Sequence, residues 1–250
     1  MKYQDINSKT IDRWCDEGWE WGQPIIHETF ENAKKGIWDV LLTPTKPVPH
    51  DWFLPFKGCK ILGLASGGGQ QIPIFAALGA EVTVLDYSIR QLEKEQMVSE
   101  REGYNVRIIR ADMTEPLPFE DEEFDLIFSP VSFVYIEKVE PVFKECYRIL
   151  RPNGVLLCGL DNGVNFISNN EDRIENEFPF NPLVNENQFK MLQDEDCGVQ
   201  FSHNMEENIG GQLKAGFTLV DIFDDYNGEG RLNDLKIPTF IATKSIKLKK

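Results

Sequence analysis

KILGLASGGGQQIPIFAALGAEVTVLD, residues 60–86, decides how this chain is read. Ile61, Leu62 and Leu64 form a short apolar run suited to a strand covered on both faces. Gly67, Gly68 and Gly69 follow, where the missing Cβ lets the backbone turn sharply and approach a ligand. A helix starts at once: Pro73 is tolerated in a first turn, Ile74, Phe75 and Leu78 make an apolar stripe, and Gly79 supplies the stop. Residues 81–86 alternate as a second strand and end on Asp86. In a β-α-β unit the carboxyl ends of parallel strands face the ligand crevice, so Asp86 is placed to meet the two hydroxyls of a ribose.

Several readings compete for this unit. A dinucleotide site wants G-x-G-x-x-G, with the third glycine packing helix against sheet, and here that position is Ile72. A P-loop is excluded, because no Gly-Lys-Ser or Gly-Lys-Thr follows the glycines. An unliganded strand–helix turn is the plainest alternative.

The same alternation continues. Residues 91–102 read as a polar, Glu-rich helix and residues 106–110 as a third strand, followed by Ala111, Asp112 and Met113. Residues 124–128 make a fourth strand, followed by Ser129 and Pro130. Residues 139–150 place Val139, Val142, Phe143, Cys146, Ile149 and Leu150 at helical spacing. Residues 151–154 turn into a fifth strand, 155–160. Residues 217–223 and 239–245 give a sixth and a seventh, with a solvated loop expected over 224–238. Alternating strands and helices predict an α/β fold, a mostly parallel sheet with helices on both faces.

With these motifs in order, the chain resembles the class I S-adenosylmethionine-dependent methyltransferases, in particular the type 11-like branch and a bacterial LASGGGQQ subgroup whose substrate is unassigned. ILGLASGGG is similar to the family's first motif, ADM at 111–113 to its adenine-side motif, FDLIFSPV to its fourth-strand motif, and YRILRPNGVLL to its helix-turn-strand signature. The resemblance implies a Rossmann-like sheet of seven strands with the last antiparallel, S-adenosylmethionine as cofactor and S-adenosylhomocysteine as product. It implies that Asp86 takes the ribose hydroxyls with Tyr87 next to it, and that Asp112 takes the adenine amino group between Ala111 and Met113. Ala65, Ser66, Gly67 and Gly69 would lie against the methionine part. Two positions depart from the family pattern: Gly63 stands where an acid is usual, and Ala65 where a glycine is usual. The acid's contact with the cofactor ammonium then falls to Gln70, Gln71 or carbonyls near Ser129.

Outside this core, all five tryptophans, Trp14, Trp19, Trp21, Trp38 and Trp52, fall in the first 52 residues. They serve either to dock an N-terminal extension or to lid a substrate site. Residues 1–56 are read as that lid, with the proline-stiffened TPTKPVP at 43–49 as a strap, and residues 57–250 as the cofactor-binding domain. Residues 161–215, longer than a crossover needs, are read as a substrate-covering insertion. In it the Asn/Glu-rich NNEDRIENEFPFNP is expected to be a loop, and FSHNMEENIGG, residues 201–211, to turn towards the cofactor.

Candidate bases are few. Of three histidines, His203 is the candidate catalytic residue, while His27, Trp19, Trp21 and Tyr135 are candidate substrate contacts and His50 is read as a surface residue. Forty-one acids against 26 bases give a charge of −15, which disfavours a nucleic-acid partner and leaves a small-molecule substrate. Five scattered cysteines suggest neither disulfides nor a metal site. Without an apolar signal core or a run of about 20 apolar residues, a cytoplasmic protein with no membrane contact is expected. The oligomeric state is left open. Three function classes stand: a small-molecule methyltransferase, a nucleotide-dependent oxidoreductase of related architecture, and a cofactor-binding regulatory protein without turnover.

Overall fold

The computed structural model describes residues 2–168, 171 and 173–249. Two helices precede the sheet, α1 (Tyr3–Glu17) and α2 (His27–Lys34). Strand and helix then alternate through β1 (Lys60–Leu64), α3 (Gln71–Ala77), β2 (Glu81–Asp86), α4 (Ile89–Glu102), β3 (Val106–Arg110), β4 (Phe124–Ser129), α5 (Glu140–Ile149) and β5 (Leu150–Asp161). The chain closes with α6 (Glu186–Asp194), α7 (Gly211–Ala215), β6 (Thr218–Asp225), α8 (Gly230–Asp234) and β7 (Phe240–Ile246).

The seven strands lie in the order β3-β2-β1-β4-β5-β7-β6. β1 to β5 are parallel, and β7 runs antiparallel to both β5 and β6. The seventh strand is antiparallel, as the family resemblance implies, and it is threaded between β5 and β6, which leaves β6 at the edge. The strand order reverses between β1 and β4, and there the crossovers leave a crevice outside the carboxyl ends.

Period-2 alternation sorts the core into two layers. Leu62, Leu64, Leu85, Ile127, Leu156, Cys158 and Leu160 pack with Phe143, Cys146 and Ile149 of α5 on one face. Ile61, Val82, Val84, Leu126, Phe128, Val155 and Leu157 pack on the other with Phe75 of α3 and Leu92 of α4. That second layer also takes in Val40, Leu42, Val48 and Trp52, so the N-terminal connection covers sheet that a helix would otherwise cover.

The five tryptophans divide accordingly. Trp52 is buried in the second layer and its indole donates to Asp221 at 2.9 Å, and Trp38 stacks on exposed His50 at 4.0 Å. Trp14, Trp19 and Trp21 lie at the other end, over the crevice. The strap is held by Asp225, whose carboxylate accepts from Thr45 N–H at 2.8 Å, Lys46 N–H at 3.0 Å and the Thr45 hydroxyl. The segment over 224–238 is solvated as expected, with 228–231 and 234–236 exposed, but it also holds the short helix α8 and buries Asp225 and Leu232.

In the long connection, residues 169, 170 and 172 of the Asn/Glu-rich stretch lie outside the described residues. Residue 171 and residues 173–182 hold no helix or strand, and α6 follows. No helix among the described residues is long and apolar enough to cross a membrane.

The chain leading into the strap passes so close to β5 that a Cβ at Gly159 would stand 1.9 Å from the Leu42 carbonyl oxygen and 3.1 Å from Val131 N. Both neighbours are backbone and cannot give way by rotating. Gly159→Ala is therefore expected to cost about 1–3 kcal/mol, read as a lowered melting temperature; an unchanged melt would contradict this packing.

Candidate functional site

The crevice holds a cavity of about 470 Å³ that runs over the carboxyl ends of β1 to β5. Its floor, in sheet order, is Ala111–Met113 after β3, Leu85–Ser88 at β2, Ala65–Gly67 after β1, Pro130–Ser132 after β4, Asp161 ending β5 and Phe240 opening β7. The roof comes from α1 (Gln4, Asn7, Ser8, Ile11, Trp14), from Trp19 and Trp21, and from residues 41–44, where the strap begins.

Asp86 is the hinge of the floor. Its Oδ2 accepts from Gly67 N–H at 3.1 Å and its Oδ1 from Ser88 N–H at 2.9 Å, which joins the glycine turn to the cap of α4. Ser88 completes that cap by accepting from Gln91 N–H at 3.1 Å. Burial pushes the Asp86 carboxyl up to about 6 against the pull of those N–H groups. Keeping it ionised at neutral pH costs about 3 kcal/mol relative to water. Two hydroxyl donors at about 1.5–3 kcal/mol each would offset that cost.

The glycine turn comes too close to α4 for side chains. A Cβ on Gly67 would meet Gln91 Cβ at 2.8 Å, and one on Gly68, at φ +92°, would meet Gln91 Oε1 at 2.5 Å. Ala65 also adopts positive φ, +48°, so the alanine that replaces the family's glycine carries the backbone strain glycine would avoid. Below the turn, Glu95 is wholly buried and accepts from Gly69 N–H at 3.0 Å and the Tyr104 hydroxyl at 2.8 Å; burial pushes its carboxyl up to about 7.

Gly63 and Ile72 belong together. A Cβ on Gly63 would lie 2.5 Å from Ile72 Cδ1 and 2.9 Å from its Cγ1. Ile72, standing at the third-glycine position, fills the space an acid at 63 would need.

Most of the expected site residues meet here. Ala65, Ser66, Gly67, Gln70, Asp86, Tyr87, Ala111, Asp112, Met113, Trp19, Trp21 and Tyr135 all line the cavity. The Tyr135 hydroxyl makes no hydrogen bond among the described residues, whereas Asp112 Oδ1 is taken up by Thr114 N–H and hydroxyl at 2.8 and 2.7 Å. Gln70 spends its amide on Glu20 and Gln23 carbonyls, both at 3.0 Å, which moors the tryptophan segment.

Four residues are not brought together with them. Gly69 points its N–H at Glu95, away from the cavity, and Ser129 lies beneath the lining, donating to the Leu64 carbonyl at 3.0 Å. His27 is exposed and pairs with Glu102 at 2.7 Å. His203 is buried outside the cavity lining; burial pushes its imidazole below the usual range, and its Nε2 has no partner among the described residues. The expected turn of residues 201–211 towards the cofactor is likewise corrected. Gln200 lines the cavity, but from 201 the chain runs to the far face, where Gly211 meets Phe143 and Gln212 donates to Thr243.

Sequence reasoning missed Asn7 and Asp161. Asn7 sits in α1, where its Nδ2 donates to the Tyr135 and Val199 carbonyls at 3.2 and 2.8 Å and its Oδ1 accepts from Val199 N–H at 2.7 Å. No signal in the sequence marks it. Asp161 did carry one, since it is an acid that ends β5 as Asp86 ends β2.

Comparison with known proteins fits this geometry. Residues 62–158 match the family model described as "Methyltransferase domain". The chain is 40% identical over 97% of its length to the uncharacterized methyltransferase YbaJ of Bacillus subtilis, of which it covers 97%. An S-adenosylmethionine-dependent methyltransferase of Mesorhizobium loti superposes with a TM-score of 0.64 at 16% identity, over 78% of this chain and 94% of that one. A methyltransferase in complex with the Trm112 activator of Haloferax volcanii superposes over 98% of both chains, with a TM-score of 0.59 at 16% identity.

The Gly63–Ile72 contact is open to a double-mutant cycle in urea. Gly63→Asp alone is expected to destabilise the fold and Ile72→Ala to relieve part of that loss, with a coupling of about 0.5–3 kcal/mol. Strictly additive effects would show that the two positions are independent.

Proposed function

The chain belongs to the S-adenosylmethionine-dependent methyltransferases, and from that membership we propose that it methylates a small molecule held in the cavity above β1 to β5. The observation that carries the cofactor assignment is the pairing of a side-chain-free cradle at Gly67 and Gly68 with the two acids Asp86 and Asp112 at neighbouring strand ends. These residues fit the group. Gln91 Oε1, buried beside the cradle, has no hydrogen-bond partner among the described residues and is open to a ligand donor.

In this reading Asp86, next to Tyr87, receives the ribose hydroxyls, and Asp112 receives the adenine amino group between Ala111 and Met113. Ala65, Ser66, Gly67 and Gln70 line the space for the methionine part. No Lys, Arg or His lines the cavity among the described residues, so the ligand carboxylate is met by neutral donors. The indole N–H groups of Trp19 and Trp21, which make no hydrogen bond among the described residues, are available for this.

S-adenosylmethionine supplies an electrophilic methyl group. The protein's part is to hold the acceptor in line with it at about 3–3.5 Å and to keep water out. Residues 1–56 act as the lid and residues 161–215 as a cover, the latter contributing Asp161, Asn165, Phe166 and Gln200 to the wall. Tyr135, Trp19 and Trp21 are proposed ligand contacts. The positions of His27 and His203 outside the cavity support no catalytic part for either.

Thermal unfolding with S-adenosylhomocysteine tests the assignment. Ligand at 100 times its dissociation constant stabilises by about 2.7 kcal/mol, a rise of roughly 5–10 °C for a chain of this size. Asp86→Ala and the isosteric Asp86→Asn are expected to abolish the rise. A rise that survives in both would remove Asp86 from the site, and no rise in the unaltered protein would overturn the cofactor reading.

A further inference from the structure

At the end of the crevice away from Asp86 and Asp112 stands a third acid that a nucleoside does not need. Asp161 ends β5, lines the cavity and is 6% exposed. In the sheet order β2-β1-β4-β5, three strand spacings, about 14 Å, separate its strand end from that of Asp86. With a nucleoside over β2 and β3, the space over β4 and β5 is left for the acceptor.

Asp161 is held ready there. Its Oδ1 accepts from Gly163 N–H at 2.6 Å and its Oδ2 from the Asn165 amide at 2.7 Å. Asn165 in turn accepts from the Asn227 amide at 2.9 Å, and Asn227 from the Thr239 hydroxyl at 2.7 Å. Every partner in this chain is neutral. Each carboxylate oxygen keeps a lone pair beyond those bonds.

The Gly163 bond alone does not call for a charge, since an asparagine carbonyl would accept it, whereas the Asn165 amide calls for a second acceptor on the same side chain. Burial pushes Asp161 up to about 6, so at neutral pH a buried carboxylate faces the cavity with no cationic side chain lining it among the described residues. The same lack leaves an acceptor bearing a carboxylate or phosphate without an anchor, as does the net charge of −15. Phe166 and Phe240 line the same end and offer apolar surface.

We propose that Asp161 binds the ammonium of an amine acceptor carried on an apolar body and takes its proton, so that the enzyme is an N-methyltransferase; this rests on the methyltransferase reading above. The ammonium gives one proton to the Asp161 carboxylate, leaving a neutral amine and a neutral acid. The freed nitrogen lone pair forms the new bond to the methyl carbon while the carbon–sulfur pair stays with sulfur. The products are the methylated ammonium and a neutral thioether, and Asp161 returns its proton to water when the product leaves.

A probe that needs no knowledge of the acceptor is sinefungin, in which an amine-bearing carbon replaces the methyl-bearing sulfonium, compared with S-adenosylhomocysteine by calorimetry. The unaltered protein is expected to bind sinefungin about tenfold more tightly. Asp161→Asn is expected to bring the ratio to about one while leaving S-adenosylhomocysteine affinity within twofold. In the unaltered protein the preference should also fade as the pH falls through about 6, where Asp161 takes up its proton. Asp86 titrates in the same range, but it and Asp112 and Tyr135 act on both ligands alike and cancel from the ratio. That arm decides the matter if Asp161→Asn does not fold. No sinefungin preference, a preference that survives Asp161→Asn or low pH, or a folded variant that loses both ligands equally would overturn the proposal. Binding of neither ligand by the unaltered protein would instead defeat the cofactor reading and this proposal with it.

Discussion

The carboxylate of Asp86 is the constraint on which the crevice depends. It ties the turn after β1 to the cap of α4 through two backbone N–H groups, and that junction is where α1 docks. Ser88 donates to Asp12 of α1 at 2.6 Å, Ser8 donates to the Tyr87 carbonyl at 3.0 Å, and the Tyr87 hydroxyl donates to Asp5 at 3.0 Å. One buried acid therefore shapes the floor of the cavity and sets the neighbouring contacts that hold the roof. The arrangement is costly without a ligand, because an ionised carboxyl is kept from water with only backbone dipoles to meet it.

Much of this was legible in the sequence because parallel strands buried on both faces read as apolar runs broken by glycine turns. β1, β2 and β3 appear where residues 60–64, 81–86 and 106–110 predict them, and Asp86 and Asp112 come to the same end of the sheet because parallel crossovers require it. What was not legible depends on pairings distant in sequence. Nothing in residues 239–245 says that they enter between β5 and β6. Nothing in residues 1–17 says that Asn7 will bridge Tyr135 and Val199. Asp161 was read as the start of a connection, and its role at a strand end emerges only when β5 is seen to run beside β4 to the same edge of the crevice.

The histidines show the limit of reasoning by residue type. Imidazole is the usual proton acceptor near neutral pH, so His203 and His27 stood out among few candidates. The cavity instead contains carboxylates and tyrosines as its only ionisable side chains among the described residues. Packing explains one departure from the family motif: Ile72 of α3 occupies the space that an acid at Gly63 would need, so the missing acid goes with a bulky neighbour. The tryptophans divide by the same logic. Trp38 and Trp52 pack away from the crevice, where sheet needs cover, while Trp14, Trp19 and Trp21 roof the cavity.

The central claim, that the strand ends of β1 to β3 receive the adenosyl group, is tested most directly by diffraction from crystals grown with S-adenosylhomocysteine. The account predicts density in the cavity with the ribose hydroxyls within hydrogen-bond distance of Asp86 and the adenine beside Asp112. Density elsewhere in the molecule, or a ligand in the cavity that leaves Asp86 without a contact, would contradict it.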